Sequence, residues 1–176
     1  EIHLKLVFSV PDGRILGAQA VGFEGVEKRI DVIATAIQFN GTVHDLAEAE
    51  LCYAPQFGAA KDPVNLAGML AVNVLNGDMP VGDWSDLERT DALILDVREP
   101  EEFARGHIPN SINLPLSQLR TRYTELSENC EIWVCCAVGQ RAYFATRFLG
   151  QHGYRTRNLS GGYATYKALK AAGLVS

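Results

Sequence analysis

The chain has 176 residues, 47% of them hydrophobic, with 16 Lys and Arg against 21 Asp and Glu for a formal net charge of -5. No apolar run approaches a membrane span, no basic-then-apolar signal opens the chain, and its basic residues are scattered through an acidic whole, which argues against both membrane and nucleic acid. Four cysteines without a regular framework fit a reducing cytoplasm better than a disulfide scaffold, and no zinc set is expected, because Cys135 and Cys136 are adjacent while Cys52 and Cys130 lack a close Cys or His.

Ile2, Leu4, Leu6, Phe8 and Val10 alternate with polar or small residues as in a half-buried strand. Pro11-Asp12-Gly13-Arg14 then turns the chain into a second strand, Ile15 to Gly22, predicting an antiparallel hairpin. Val26, Ile30, Ile33 and Ile37 share one helical face that Gly41 ends, and Thr42 with Asp45 predicts a capped short helix carrying Val43 and Leu46. Asp62-Pro63 opens a third helix, expected to bury Leu66, Met69, Leu70 and Val74 and to stop at Gly77. These elements make an α+β domain over residues 1–78. A short linker with Pro80, residues 79–83, leads to a second domain over residues 84–176, and the apolar content suffices for two small cores.

Charge is uneven along the chain. Residues 1–80 hold five Lys or Arg against ten Asp or Glu, and the remainder holds eleven of each. After Glu131 there is no acidic side chain, only Arg141, Arg147, Arg155, Arg157, Lys167 and Lys170. They read either as ordinary surface charge or as a positive rim that draws small anions.

In that segment Ile132 to Cys135 is short, apolar and rich in β-formers, while Ala142, Phe144, Ala145, Phe148 and Leu149 recur at helical spacing. A strand, a loop and a helix are therefore expected, with a thiol at the mouth of the turn. Unpaired N–H groups at the helix start favour an anion there, whether a bound oxyanion or a thiolate. Arg141 closes the loop and offers a fixed charge with two parallel donors. Strand alternation leaves Cys135 as a packed strand residue and makes Cys136 the reactive one.

Cys136-Ala-Val-Gly-Gln-Arg141 resembles the active-site loop of rhodanese-type sulfurtransferases. Three other stretches agree in the family's order: Leu95-Asp-Val-Arg-Glu-Pro-Glu-Glu-Phe103, Gly106-His-Ile-Pro-Asn-Ser-Ile-Asn113 and Asn158-Leu-Ser-Gly-Gly-Tyr163. The resemblance implies an α/β domain with a mainly parallel sheet, Cys136 as the sulfur-carrying nucleophile, and Ala137, Val138, Gly139 and Gln140 as the cradle around the sulfur. Four residues separate Cys136 from Arg141 and five separate Cys135 from it. In this superfamily the shorter loop goes with sulfur and the longer with phosphate or arsenate, so a phosphatase or arsenate reductase using Cys135 remains the alternative. Asp96, Arg98 and His107 read as scaffold, and Gly161-Gly162 as a tight turn where side chains would collide with the loop.

Gly13-Arg-Ile-Leu-Gly-Ala-Gln-Ala-Val-Gly22 resembles the dimerisation domain of pyridine-nucleotide disulfide oxidoreductases. Leu51-Cys-Tyr-Ala-Pro-Gln-Phe57 with Lys61-Asp-Pro-Val-Asn65 narrows the likeness to the coenzyme A disulfide reductase and NADH oxidase branch, in which a C-terminal rhodanese domain is sometimes fused. No Gly-x-Gly-x-x-Gly occurs, so the chain looks like the C-terminal part of a longer flavoenzyme whose flavin and nicotinamide domains lie elsewhere. The resemblance implies a homodimer through residues 1–78, with FAD and coenzyme A in the parent and neither bound by this chain alone. It makes Tyr53 a hydrogen-bond or proton donor to a leaving thiolate in the partner's active site, puts Ala54 and Pro55 near the partner's flavin, and lets Lys61 approach a coenzyme A phosphate. Cys52 is expected to be packed. The parent reads as an NADH-dependent coenzyme A disulfide or persulfide reductase in the cytoplasm, fed by small sulfane-sulfur donors. The alternatives are an NADH oxidase with a regulatory rhodanese module, and a rhodanese domain used only for binding.

Overall fold

Alternation of half-buried Ile2, Leu4, Leu6 and Phe8 with exposed neighbours forms β1 (Ile2–Phe8). It pairs antiparallel with β2 (Ile15–Gly22) in the computed structural model, which describes residues 2–87 and 89–175. The alternation stops one step earlier than expected. Ser9 N–H donates to Arg14 O at 2.9 Å and Gly13 N–H to Ser9 O at 3.0 Å, which closes the turn and leaves Val10 75% exposed. The chain divides into two compact units, residues 1–78 and 79–176.

In the first unit α1 (Val26–Gln38) buries Ile33, and α2 (Val43–Glu48) begins at the expected Thr42–Asp45 capping box. Ile15, Ile33, Val43, Leu46, Val64 and Ala71 form the core. The third helix, α3 (Pro63–Leu75), is capped by Asp62 but turns a different face inward from the one expected. Val64, Asn65, Gly68 and Ala71 are buried, while Leu66, Met69 and Leu70 are 49%, 44% and 46% exposed. Close approach to α2 decides this. A Cβ on Gly68 would stand 2.8 Å from the backbone of Leu46 and Val43, and the Asn65 amide donates to Leu46 O at 3.1 Å and Ala49 O at 2.9 Å. Small residues and an amide that satisfies the end of α2 outrank larger apolar side chains, because unpaired helix-end carbonyls are costly to bury.

In the second unit β3 (Leu93–Asp96), β4 (Ile112–Asn113), β5 (Ile132–Cys135) and β6 (Thr156–Asn158) form a parallel sheet in the order β4-β3-β5-β6. The connections carry α4 (Pro100–Ala104), α5 (Leu116–Arg122) and α6 (Gln140–Gln151), and α7 (Gly162–Ala171) follows the last strand. A parallel sheet is covered on both faces, so its central strands β3 and β5 are apolar runs, broken only by Asp96 at the end of β3. Leu95, Ile132 and Val134 face one core with Ala142, Ala145 and Leu149 of α6, and Ile94, Trp133 and Cys135 face the other with Tyr166 of α7. Phe144, expected on the inner face of α6, is 54% exposed, because the inner stripe is carried by Ala142, Ala145 and Leu149. Residues 80–82 run beside β6: Asn158 N–H donates to Pro80 O at 2.8 Å and Gly82 N–H to Asn158 O at 3.0 Å. Among the described residues no helix is long and apolar enough to cross a membrane.

Candidate active site

Strand β5 delivers two thiols to opposite sides of the sheet. Cys135, its last residue, packs with Ile94, Trp133 and Leu159, whereas Cys136 packs with Val134 and Ala142. Cys135 Sγ lies 3.4 Å from Cys136 O as a donor, and burial, reinforced by the charge of Asp96, pushes its thiol well up. It is a protonated core residue. Cys136 is 1% exposed and stands at the base of the loop, not at its mouth as expected, because the loop folds back over it.

Hydrogen bonds fix that fold-back. Gly139 N–H points at Cys136 Sγ at 3.1 Å. The loop carbonyls turn away: Cys136 O accepts from Tyr163 N at 2.7 Å, Ala137 O from Ala164 N at 3.0 Å, and Gly139 O from Tyr143 N at 2.9 Å and from the Asn158 amide at 3.3 Å. Two of these donors belong to the first turn of α7, so that helix start holds the loop's backbone. With carbonyls bound outside, N–H dipoles are left to face sulfur. Val138 is 58% exposed at the loop tip, and Gln140 begins α6 in solvent.

Arg141 differs from expectation. Its two terminal nitrogens donate to both oxygens of Glu102, Nη1 to Oε2 at 2.6 Å and Nη2 to Oε1 at 2.8 Å, so the fork foreseen for an anionic substrate is already occupied. Glu102 also accepts from Glu99 N at 3.2 Å in the capping box of α4. The bond from Arg141 holds its carboxyl down to about 2. A depressed carboxyl contributes stability in full above its unfolded value and loses it as pH falls through the folded value. The stability difference between wild type and Glu102→Gln, read from urea midpoints, is therefore expected to be constant above about pH 5 and to shrink towards pH 2. A difference that instead grew on acidification would refute the pairing. The positive rim is also partly neutralised, since Arg157 Nε meets Glu131 Oε1 at 2.8 Å. The acidic partners precede the basic segment in sequence and return to it in space.

Behind the loop, Arg98 Nε contacts both oxygens of Asp96 at 3.0 Å and Arg98 Nη2 donates to Oδ2 at 2.6 Å. Arg98 Nη2 also donates to Gly106 O at 2.7 Å, and the guanidinium lies 4.3 Å from the Tyr163 ring centroid. The Asn113 amide donates to Asp96 O and Arg98 O at 2.9 and 2.8 Å. His107 stacks on Phe103 at 3.9 Å, with Nδ1 3.1 Å from Phe103 O, an anchoring arrangement.

In the first unit the second candidate group sits on one irregular segment between α2 and α3. Tyr53 is 55% exposed, Pro55 and Lys61 are exposed, and Ala54 O accepts from Phe57 N at 2.9 Å and Gly58 N at 3.2 Å. Cys52, expected to be packed, is exposed and lines a cleft with Lys28, Phe57 and Lys61. Leu51 alone at that point packs onto the core, which turns its neighbour outward. The structure thus gathers Cys136, Ala137, Val138, Gly139, Gln140 and Arg141 at one loop, and Tyr53, Ala54, Pro55 and Lys61 on another. Sequence reasoning missed Glu102, Tyr163, Ala164 and Asn158. For Glu102 a signal existed, because Glu99-x-x-Glu102 is a capping pattern that places the carboxyl at a helix start.

Residues 84–169 match the rhodanese-like domain family and residues 1–63 the pyridine nucleotide-disulphide oxidoreductase dimerisation domain. A coenzyme A disulfide reductase of Staphylococcus epidermidis is 43% identical over 70 residues, 40% of this chain and 16% of the relative. The crystal structure of reduced Bacillus anthracis CoADR-RHD superposes with a TM-score of 0.93 at 42% identity, over 97% of this chain and 31% of that one. A NAD-dependent persulfide reductase from A. fulgidus gives 0.82 at 39% identity, over 94% and 30%. The chain therefore spans a third or less of each of these relatives.

Proposed function

We propose, for a chain that joins a pyridine nucleotide-disulphide oxidoreductase dimerisation domain to a rhodanese-like domain and is homologous to the coenzyme A disulfide reductases that carry one, that it is the sulfur-handling and dimer-forming part of an NADH- and FAD-dependent reductase of coenzyme A disulfide or persulfide. The observation that carries the reading is the loop itself. Cys136 Sγ lies at its base under the Gly139 N–H, and Cys135 is turned to the other side of the sheet. A short loop whose carbonyls are bound outside suits a single sulfur atom better than a tetrahedral phosphate.

The chemistry balances as two thiol exchanges. Cys136 thiolate attacks the outer sulfur of R–S–SH, forming Cys136–S–SH, while the S–S bond breaks and R–S⁻ leaves with the electron pair. A second thiol then attacks the outer sulfur of the Cys136 persulfide, releasing Cys136 thiolate and a new persulfide. With coenzyme A as that thiol, the product is the substrate class named for the relatives. Cys135 lies across the sheet and does not intercept the persulfide as an internal disulfide.

In the first unit the exposed stripe Leu66, Met69 and Leu70 on α3 is an apolar patch of the kind that marks a protein interface. It supports dimerisation through residues 1–78. FAD would meet this chain only at an edge, since the chain lacks a dinucleotide fingerprint and offers the irregular turn with half-buried Ala54 and exposed Pro55. Bound in the parent, the flavin would carry electrons from NADH to the sulfur substrate. Tyr53, with its phenol on the exposed segment, would donate a proton to the leaving thiolate, and Lys61 would meet a coenzyme A phosphate.

Intact mass after incubation with polysulfide tests the reading. Wild type and Cys135→Ser are expected to gain a sulfur that cyanide removes, and Cys136→Ser to gain none. Loading on Cys135, or hydrolysis of an aryl phosphate that depends on Cys135, would sink it.

A further inference from the structure

We infer that Glu102 sets the donor specificity of the Cys136 loop: by pairing with Arg141 it cancels the formal charge that the loop carries, so that sulfane sulfur on a thiol is accepted in preference to sulfur on a tetrahedral oxyanion. The assignment rests on the sulfur-carrier reading above. From Cys136 to Arg141 the only charged side chain is Arg141, and both its terminal nitrogens are engaged by Glu102 at 2.6 and 2.8 Å. The Arg141 guanidinium also feels Glu99 and the Cys136 sulfur, and Glu102 in turn feels the more weakly coupled Arg98. Glu99 is itself steadied by Ser117 Oγ, 3.1 Å from its Oε1. What the loop then offers sulfur is the Gly139 N–H dipole at 3.1 Å.

Such a site treats two donors differently. With an alkyl persulfide, Cys136–S⁻ and R–S–SH give Cys136–S–SH and R–S⁻, and the reacting assembly carries a single negative charge. With thiosulfate, Cys136–S⁻ attacks the outer sulfur, Cys136–S–S⁻ forms, and sulfite leaves with the bonding pair. That assembly carries three negative charges and loses the hydration of its oxyanion group. N–H dipoles can stabilise the first, but the second needs an uncancelled cation. Rejection by a deliberate cancelling charge is specificity through what the wrong partner cannot find.

The test is the ratio of loading rates from thiosulfate and from an alkyl persulfide with an uncharged tail, measured by intact mass on the whole chain. Glu102→Gln frees the Arg141 charge and is expected to raise the thiosulfate-to-persulfide ratio by about tenfold or more, with the gain shrinking as salt is added. Glu102→Asp, which keeps the charge, is expected to keep the wild-type ratio. The double variant Glu102→Gln/Arg141→Gln replaces an ion pair by a neutral one and is also expected to keep it, which decides the matter if Glu102→Gln alone does not fold. An unchanged ratio in Glu102→Gln, or a selective loss of thiosulfate loading in the double variant, would overturn the assignment. A wild-type chain that takes sulfur from neither donor overturns the sulfur-carrier reading and this assignment with it. Normal loading with a ratio indifferent to charge overturns the assignment alone.

Discussion

Asp96→Ala is expected to destabilise the rhodanese-like domain by about 3–5 kcal/mol, because it strands a buried guanidinium. Asp96 and Arg98 are 1% and 4% exposed, and the carboxylate meets Arg98 through its side chain and also accepts its backbone N–H at 3.0 Å. Arg98 would keep the uncharged Gly106 O and Tyr163 ring, and the weaker pull of Glu102, a carboxylate already paired with Arg141. Asp96→Asn retains one acceptor and is expected to lose less. Replacing both residues by apolar ones of similar volume is expected to recover part of the loss, since a buried pair adds little over a packed apolar core. Urea unfolding followed by far-UV circular dichroism measures this. A loss below about 1 kcal/mol for Asp96→Ala would mean that the guanidinium escapes to water. The effect should reach the Cys136 loop, because Arg98 lies against Tyr163, whose N–H holds Cys136 O. Sulfur loading by Asp96→Ala is therefore expected to fall at temperatures where the chain is still folded.

The strand, loop and helix around Cys136 were legible because their signals are local. An apolar run, a glycine and a helical stripe lie within about twenty residues, and strand alternation alone separates Cys135 from Cys136. Capping at Thr42 and Asp62 was legible for the same reason. What failed was long-range. The inward face of α3 depends on Gly68 and Asn65 meeting the end of α2, where composition favoured Leu66, Met69 and Leu70. Arg141 looked available because its partner, Glu102, lies 39 residues earlier and on another helix. A hydrophobic pattern says which residues prefer burial, but not which close contact takes precedence. A charge count, likewise, does not say which charges meet. Both misreadings bear on the proposed function: one leaves an apolar stripe exposed on α3, and the other ties up the Arg141 charge at the Cys136 loop.

Gly162→Ala should separate the two roles of the start of α7, support of the fold and shaping of the Cys136 loop backbone. Gly162 has φ +58°, and a Cβ there would collide with Cys136 O and stand 2.9 Å from Ala137 C and Val138 N, all backbone atoms of the Cys136 loop. The left-handed conformation alone costs about 1–2 kcal/mol for a residue with a side chain. Overpacking against a backbone that cannot rotate aside adds about 1–3 kcal/mol. Gly161→Ala shares the positive φ, +76°, but the atoms nearest its Cβ are those of the Thr165 side chain, whose Oγ1 can turn away, and not backbone. Gly77→Ala, at φ +74° with open space around it, reports the conformational cost by itself. The expected order of destabilisation is Gly162 > Gly161 ≥ Gly77, with sulfur loading impaired only at Gly162. That selectivity follows from the hydrogen bonds of Tyr163 and Ala164 to the loop carbonyls, which hold only if α7 starts flush against Cys136 and Ala137. Equal loading by all three variants would mean that the loop keeps its shape without α7, and the start of that helix would then have no part in presenting Cys136.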